Sequence, residues 1–209
     1  MLQYITSTSS PVPVTEQVRQ VLEGGCRWIQ VRMKDASDEE IAGVIEEIKP
    51  MCLDKEAFLI LNDRVELAKT LNVGGVHLGK TDMLPSQARL ILGPAAVIGV
   101  TANTVEDVEA VKALDIDYIG IGPYRFTETK KNLAPTLGIE GIGSICGNMH
   151  EREINIATVA VGGILPEDVA PLMESGVNGI AVSGAIAFAP DIKAATEEFL
   201  RLLEPYEKK

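Results

Sequence analysis

The stretch "FLILNDRVELAKTLNVGGVHLGK", residues 58–80, contains a complete structural repeat. Its opening run is too continuously apolar for a strand with one wet face, so Phe58–Asp63 reads as a strand buried on both sides. Arg64–Leu71 follows with a helical pattern, and a second apolar run occupies Gly75–Lys80. A strand, a helix and another buried strand form a βαβ unit, which implies a parallel pair.

The same alternation continues in both directions. Further strands are expected at Gln3–Thr8, Trp28–Lys34, Ala96–Thr101, Tyr118–Pro123, Thr158–Gly163 and Gly179–Ser183. Helical patterns separate them at Val14–Glu23, Asp38–Leu53, Pro85–Leu92, Val105–Ala113, Ile139–Gly147, Pro166–Ser175 and Ile192–Leu203. Asp38 and Thr104 are placed as N-caps, and Pro85 and Pro166 suit first-turn positions. Eight strands each followed by a helix favour an α/β fold closed into a compact (β/α)8 TIM barrel, with an open doubly wound sheet as the alternative. The 209 residues suit one domain spanning 1–209, and no linker or composition break divides them.

Composition narrows the function. With 19 Lys+Arg against 30 Asp+Glu, the net charge of −11 argues against nucleic acid and anionic membranes as partners of the bulk surface. Cys26, Cys52 and Cys146 form no CxxC pair and read as idle thiols of a reducing cytoplasm. The N-terminus lacks the pattern of a signal peptide, and no window approaches the ~18 apolar residues of a membrane span.

In this architecture ligands bind where strands end. Polar residues collect there: Gln30, Arg32, Lys34, Asn62, Asp63, Lys80, Asp82, Thr101, Thr127, Thr129, Lys130 and Lys131. The acidic excess lies in the helices, so a basic mouth on an acidic body is expected. Asp63 and Asp82 end neighbouring strands, about 4.8 Å apart in a sheet. Such carboxylates need a cation or a proton between them, and magnesium suits the setting. The alternative is structural, with Asp63 capping the next helix and Asp82 a turn before Pro85. "VAVGGI" and "GIAVSGAI" offer glycine backbone for a phosphate, or simply tight turns. "TETKK" adds hydroxyls and ammonium groups beside them. His77 reads as a barrel-lining residue and His150 as a surface one. No GxSxG, HExxH, Walker loop or Cys/His cluster is present, so hydrolysis, zinc and P-loop chemistry lack support.

Taken in order, "QVRMK", "LNDRVELA", "GVHLGKTD", "GVTANT", "DYIGIGP", "TETKK", "VGGI" and "GIAVSGAI" closely resemble the thiamine-phosphate synthase family, from about Gln30 to Ile186. That resemblance implies a Mg²⁺-dependent transferase coupling hydroxymethylpyrimidine diphosphate to a thiazole phosphate, with release of pyrophosphate. It implies that Gln30, Val31, Arg32, Met33, Lys34, Asn62, Thr101 and Lys130 hold the pyrimidine diphosphate. Asp63 and Asp82 would hold magnesium. Thr127, Glu128, Thr129, Gly163, Ser183 and Gly184 would hold the thiazole phosphate, much of it through backbone. Arg32, Lys34 and Lys130 would act catalytically, stabilising the leaving diphosphate in a dissociative reaction that needs no protein nucleophile. A homodimer is also implied. Met33, Lys80, Asn103 and Phe126 depart from the family's usual Glu, Gln, His and Pro. The rivals are a thiazole tautomerase-like isomerase on the same barrel, or a non-catalytic paralogue that binds a thiamine-related phosphate.

Overall fold

In the computed structural model, which describes residues 1–126 and 135–206, eight parallel strands close on themselves. They are β1 (Leu2–Ile5), β2 (Trp28–Val31), β3 (Phe58–Asn62), β4 (Gly75–Leu78), β5 (Val97–Ala102), β6 (Tyr118–Ile121), β7 (Ala157–Val161) and β8 (Gly179–Val182). Each pairs with the next in sequence, and β8 returns to β1 through Leu2↔Ile180 and Tyr4↔Val182. The helices are α1 (Val14–Glu23), α2 (Asp38–Asp54), α3 (Val65–Thr70), α4 (Pro85–Leu92), α5 (Val105–Val111), α6 (Gly138–Glu151), α7 (Val169–Glu174), α8 (Gly184–Ala187) and α9 (Ile192–Leu203). The closed barrel is therefore the architecture, and the open sheet is excluded.

Alternation along each strand explains why the strands are apolar throughout. In β3, Leu59 and Leu61 face outward into the large core shared with the helices, while Ile60 faces the barrel axis. Ile60 packs there with Tyr118, Val159 and Ala181, and Trp28, Phe58 and Ala157 close the N-terminal ends of the strands around them. That plug is apolar. Toward the C-terminal ends the inward positions become Gln30, Asn62, His77 and Thr101, which line a cavity. The strand order thus delivers polar groups to one end of the barrel only.

Several boundaries differ from expectation. β2, β3 and β4 end before Lys34, Asp63 and Lys80, because these polar segments leave the ladder and turn over the mouth. Asp38 is not the cap of α2. Ser37 is, its hydroxyl accepting from Glu40 N–H at 3.2 Å while the Glu40 carboxylate accepts from Ser37 N–H at 2.7 Å. Thr104 caps α5 as expected, accepting from Asp107 N–H at 3.1 Å. The run from Pro166 opens as a 3-10 turn, Pro166–Asp168, before α7 begins. α8 was not anticipated, since "SGAI" read as the end of a strand. All three cysteines are buried as free thiols. Among the described residues no helix is long and apolar enough to cross a membrane.

Candidate active site

The inward face of β2 extends beyond the strand. Alternation from Gln30 carries Arg32 and Lys34 into the cavity, while Val31 turns the other way and is buried in the outer core at 2% exposure. Any contact of Val31 with a cavity ligand would have to be through its backbone. Met33 packs against the same core and lines a second recess with Asp63 and Asp82. Arg32 is anchored by its main chain, its N–H donating to Thr6 Oγ1 at 2.9 Å. Burial pulls its guanidinium below the usual range, opposed by the carboxylates of Asp63 and Asp35.

Gln30 is 2% exposed and donates from Nε2 to Asn62 Oδ1 at 3.1 Å. Its Oε1 is buried with no hydrogen-bond partner among the described residues. A buried orphan acceptor is costly unless something with an N–H or O–H arrives to fill it. It lines the cavity, so a ligand can do so.

Asp63 and Asp82 come together. Asp63 does not cap α3, whose N-cap is Arg64. It stands at φ 67°, the left-handed region that non-glycine residues rarely adopt. Asp82 closes a turn by accepting from Gly79 N–H at 2.6 Å. Burial pushes the Asp63 carboxyl up to about 7, and a hydrogen bond shared with Asp82 reinforces the rise against Lys34 and Arg32. Burial would raise Asp82 too, but the bonds from Asp63 and from Gly79 N–H hold it below its ordinary value. The pair is thus arranged so that Asp63 holds a proton more readily than Asp82. Lys34 Nζ lies 3.6 Å from Asp63 Oδ2.

Of the cations expected at the mouth, Lys80 needs correction. Lys80 turns away to Asp107 at 2.7 Å, at the start of α5, and does not line the cavity. Arg32 and Lys34 stand among Asp63 and Asp82, so the described mouth is close to charge-balanced. Thr127, Glu128, Thr129, Lys130 and Lys131 lie outside the described residues.

The opposite wall is made of backbone. Gly162 and Gly163 have φ of 110° and 64°, and Gly163, Ser183 and Gly184 all line the cavity. Their setting depends on two residues that the sequence reading missed. Arg125 N–H donates to Gly162 O at 2.9 Å, and its Nη1 donates to Gly163 O at 3.1 Å. The same guanidinium forks onto Asp168, with both bonds at 2.8 Å. Asp168 also accepts from Tyr124 Oη at 3.0 Å and from Leu165 N–H at 2.8 Å. The glycine carbonyls are thus held by Arg125, while the amides of Gly163, Ile164 and Ser183 donate to no acceptor among the described residues. Such a wall suits an anion. The "PED" segment offered one clue to Asp168, since a carboxylate at the start of a helix commonly binds nearby N–H groups. Nothing local pointed to Arg125.

His77 lines the cavity as expected, and His150 is exposed near the end of α6. Asn103 also lines it and donates from Nδ2 to the Gly122 carbonyl. Thr101 is half-buried on β5 beside His77. The arrangement offers cations and paired carboxylates at one end and a backbone donor wall at the other. It can hold a ligand, or two, with anionic groups at both ends.

Known proteins share this arrangement of sequence and fold. The family model for thiamine monophosphate synthase matches residues 2–186. The chain is 55% identical to a thiamine-phosphate synthase of Bacteroides fragilis, over 96% of this chain and 98% of that one. It is 52% identical to one from Bacteroides thetaiotaomicron, covering 96% of each. Among solved structures, the thiamine phosphate pyrophosphorylase from Pyrococcus furiosus superposes with a TM-score of 0.87 at 30% identity, covering 99% of this chain and 96% of that one. An orotidine 5'-phosphate decarboxylase from Pyrococcus horikoshii, at 12% identity and a TM-score of 0.68, shares the fold alone. Carried by matches that run nearly the whole length of the barrel, the assignment is to the thiamine monophosphate synthase family, and this chain belongs to it.

Proposed function

We propose that this chain works as a thiamine-phosphate synthase, a transferase that joins hydroxymethylpyrimidine diphosphate to a thiazole phosphate and releases pyrophosphate. The observation that carries the reading is one cavity with two unlike anion-holding ends, Arg32 and Lys34 beside the Asp63–Asp82 pair, and the Gly163–Ser183 backbone opposite. The tautomerase-like reading would need a phosphate site and a general base, and no magnesium site. The relatives named above bear the same activity in their names.

Magnesium is the proposed cofactor. Two carboxylates close enough to hydrogen-bond each other form a donor set that a small divalent cation can occupy. Among the described residues no group of three His, Cys, Asp or Glu converges, so a dedicated protein cage is not on offer. Magnesium needs none, since it takes one or two carboxylates and completes its shell with water and substrate phosphate. Held by Asp63 and Asp82, it would neutralise charge on the diphosphate.

The remaining work falls to the chain itself. Gln30, through its orphan Oε1, would accept from an amino group of the pyrimidine and orient the ring. Arg32, Lys34 and, outside the described residues, Lys130 would stabilise the diphosphate as the C–O bond breaks and its electrons leave with the oxygen. The Gly163, Ser183 and Gly184 backbone, with Thr127, Glu128 and Thr129, would seat the thiazole phosphate so that its ring nitrogen meets the pyrimidine methylene carbon. No side chain needs to attack. A tautomerase would need a group titrating near 7 at Asn103, where a carboxamide is committed to Gly122 O.

The test is direct. Purified protein, both substrates and Mg²⁺ should yield thiamine phosphate and pyrophosphate in equal amounts. Isomerisation of a thiazole phosphate without coupling would instead support the tautomerase. A cytoplasmic homodimer completes the reading, with sedimentation to measure the mass in solution.

A further inference from the structure

Four strands contribute to a hydrogen-bonded chain inside the barrel. Gln3 of β1 donates from Nε2 to Tyr118 Oη of β6 at 3.1 Å. Tyr118 Oη lies 2.8 Å from His77 Nδ1 of β4, and His77 Nε2 lies 3.0 Å from Thr101 Oγ1 of β5. Room for it is made by two glycines. A methyl at Gly99 would fall 2.1 Å from the Tyr118 ring, and one at Gly120 would fall 3.0 Å from His77 Cε1. Trp28 braces the tyrosine edge-on, with ring centroids 4.8 Å apart. The rings have nowhere else to go.

The chain has a direction. An amide nitrogen only donates, so the Tyr118 oxygen accepts from Gln3. Tyr118 is 3% exposed, and burial holds its phenol well above the ordinary range, so it keeps its hydrogen and must place it on an acceptor. His77 Nδ1 is the acceptor within reach. A ring nitrogen that accepts carries no hydrogen, which leaves the neutral imidazole's hydrogen on Nε2, aimed at Thr101. The Thr101 oxygen then accepts, and its own hydrogen is free to turn into the cavity.

We propose that His77 is a positioning residue which, fixed by Gln3 and Tyr118 as the Nε2–H tautomer, turns the Thr101 hydroxyl into a hydrogen-bond donor toward the ligand. The ligand group it suits is an acceptor, such as a diphosphate oxygen or an aromatic ring nitrogen. The opposite tautomer would draw the Thr101 hydrogen back onto Nε2 and present only oxygen lone pairs, which repel an anion. This inference rests on the synthase reading proposed above, with the pyrimidine diphosphate reaching Thr101, which lines the cavity.

Only two histidines are present, so ¹⁵N-histidine labelling with long-range ¹H–¹⁵N correlation reads the tautomer, and a His150→Gln sample identifies His77. The free enzyme should show an unprotonated Nδ1 and a protonated Nε2. Tyr118→Phe keeps the ring and removes the hydroxyl. It should let His77 populate both tautomers and raise KM for the pyrimidine diphosphate about tenfold, the equivalent of one lost hydrogen bond, with KM for the thiazole phosphate unchanged. His77→Gln can still accept from Tyr118 and donate to Thr101, so it should stay close to wild type, while His77→Leu should not. A dominant Nδ1–H or doubly protonated ring would overturn the proposal, as would a His77→Leu enzyme with normal KM. The spectrum needs no turnover. An enzyme that forms no thiamine phosphate but shows the Nε2–H ring would therefore defeat the synthase reading and leave the tautomer assignment standing.

Discussion

On the β2–β4 side the cavity is lined by polar side chains, Gln30, Arg32, Lys34, Asn62, Asp63 and Asp82. On the β7–β8 side they are backbone, from Gly162 to Ile164 and from Ser183 to Ala185. The first wall depends on which residues are present. The second depends on how the chain is bent, and so on residues that do not line the cavity, Arg125 and Asp168 above all. Deleting a side chain should therefore cost chemistry on one wall, whereas on the other the same loss of function should come from bending the backbone.

The largest effect is expected on the side-chain wall. Asp63→Ala together with Asp82→Ala, or EDTA with the unaltered protein, should lower thiamine phosphate formation by more than about 10³-fold, beyond the loss of a single charge stabiliser. Circular dichroism should show the fold retained, because both carboxylates sit at the mouth. Full coupling in EDTA would remove magnesium from the account and leave the pair as a structural feature.

Asp168→Ala probes the bending of the opposite wall. It strips the fork from Arg125 and leaves Tyr124 Oη and Leu165 N–H without their acceptor. A urea titration should show a loss of about 1–3 kcal/mol, the cost of orphaning such groups. Affinity for thiazole phosphate should fall with it, and affinity for the pyrimidine diphosphate should not. Equal losses on both substrates would erase the distinction between the walls.

Gly163→Ala is the finer test. At φ 64° an added Cβ costs about 1–2 kcal/mol, and it would meet Arg125 Cβ at 3.1 Å. KM for thiazole phosphate should rise roughly tenfold for that energy, with kcat little changed. A fall in kcat alone would mean that this backbone acts on the transition state.

The smallest effect concerns Lys80, which was expected at the mouth and is held by Asp107 instead. Burial would raise the Asp107 carboxyl, but Lys80 and the N–H groups of Asn103 and Thr104 hold it below the usual range. A depressed folded value means a contribution to stability that is present above the unfolded value of ~3.9 and lost as pH falls through the folded one. Denaturation midpoints of the wild type should fall more steeply than those of Asp107→Asn below that pH. Parallel curves would show that the Lys80–Asp107 pair is only a solvated contact, no part of the architecture that separates the walls.

The sequence alone determined the eightfold βα repeat and its parallel strands, because a buried parallel strand must be apolar on both faces, while closure over the open sheet was decided by the pairing of β8 with β1. It also located most of the side-chain wall, since strand-end positions are fixed by period and residue type: Gln30, Arg32 and Lys34 fall at every second position and share one face. The same period should have set Val31 and Met33 aside. Tertiary structure decided the rest. Whether Asp63 and Asp82 meet depends on two chain turns, one at positive φ, that no local pattern specifies. Lys80 and Asp107 are 27 residues apart, Arg125 and Asp168 are 43, and Gln3 and Tyr118 are 115, and each pair forms only when the barrel closes. Charge and hydrogen-bond partners are chosen by proximity in space, and a one-dimensional reading sees residue types without seeing which of them will be neighbours.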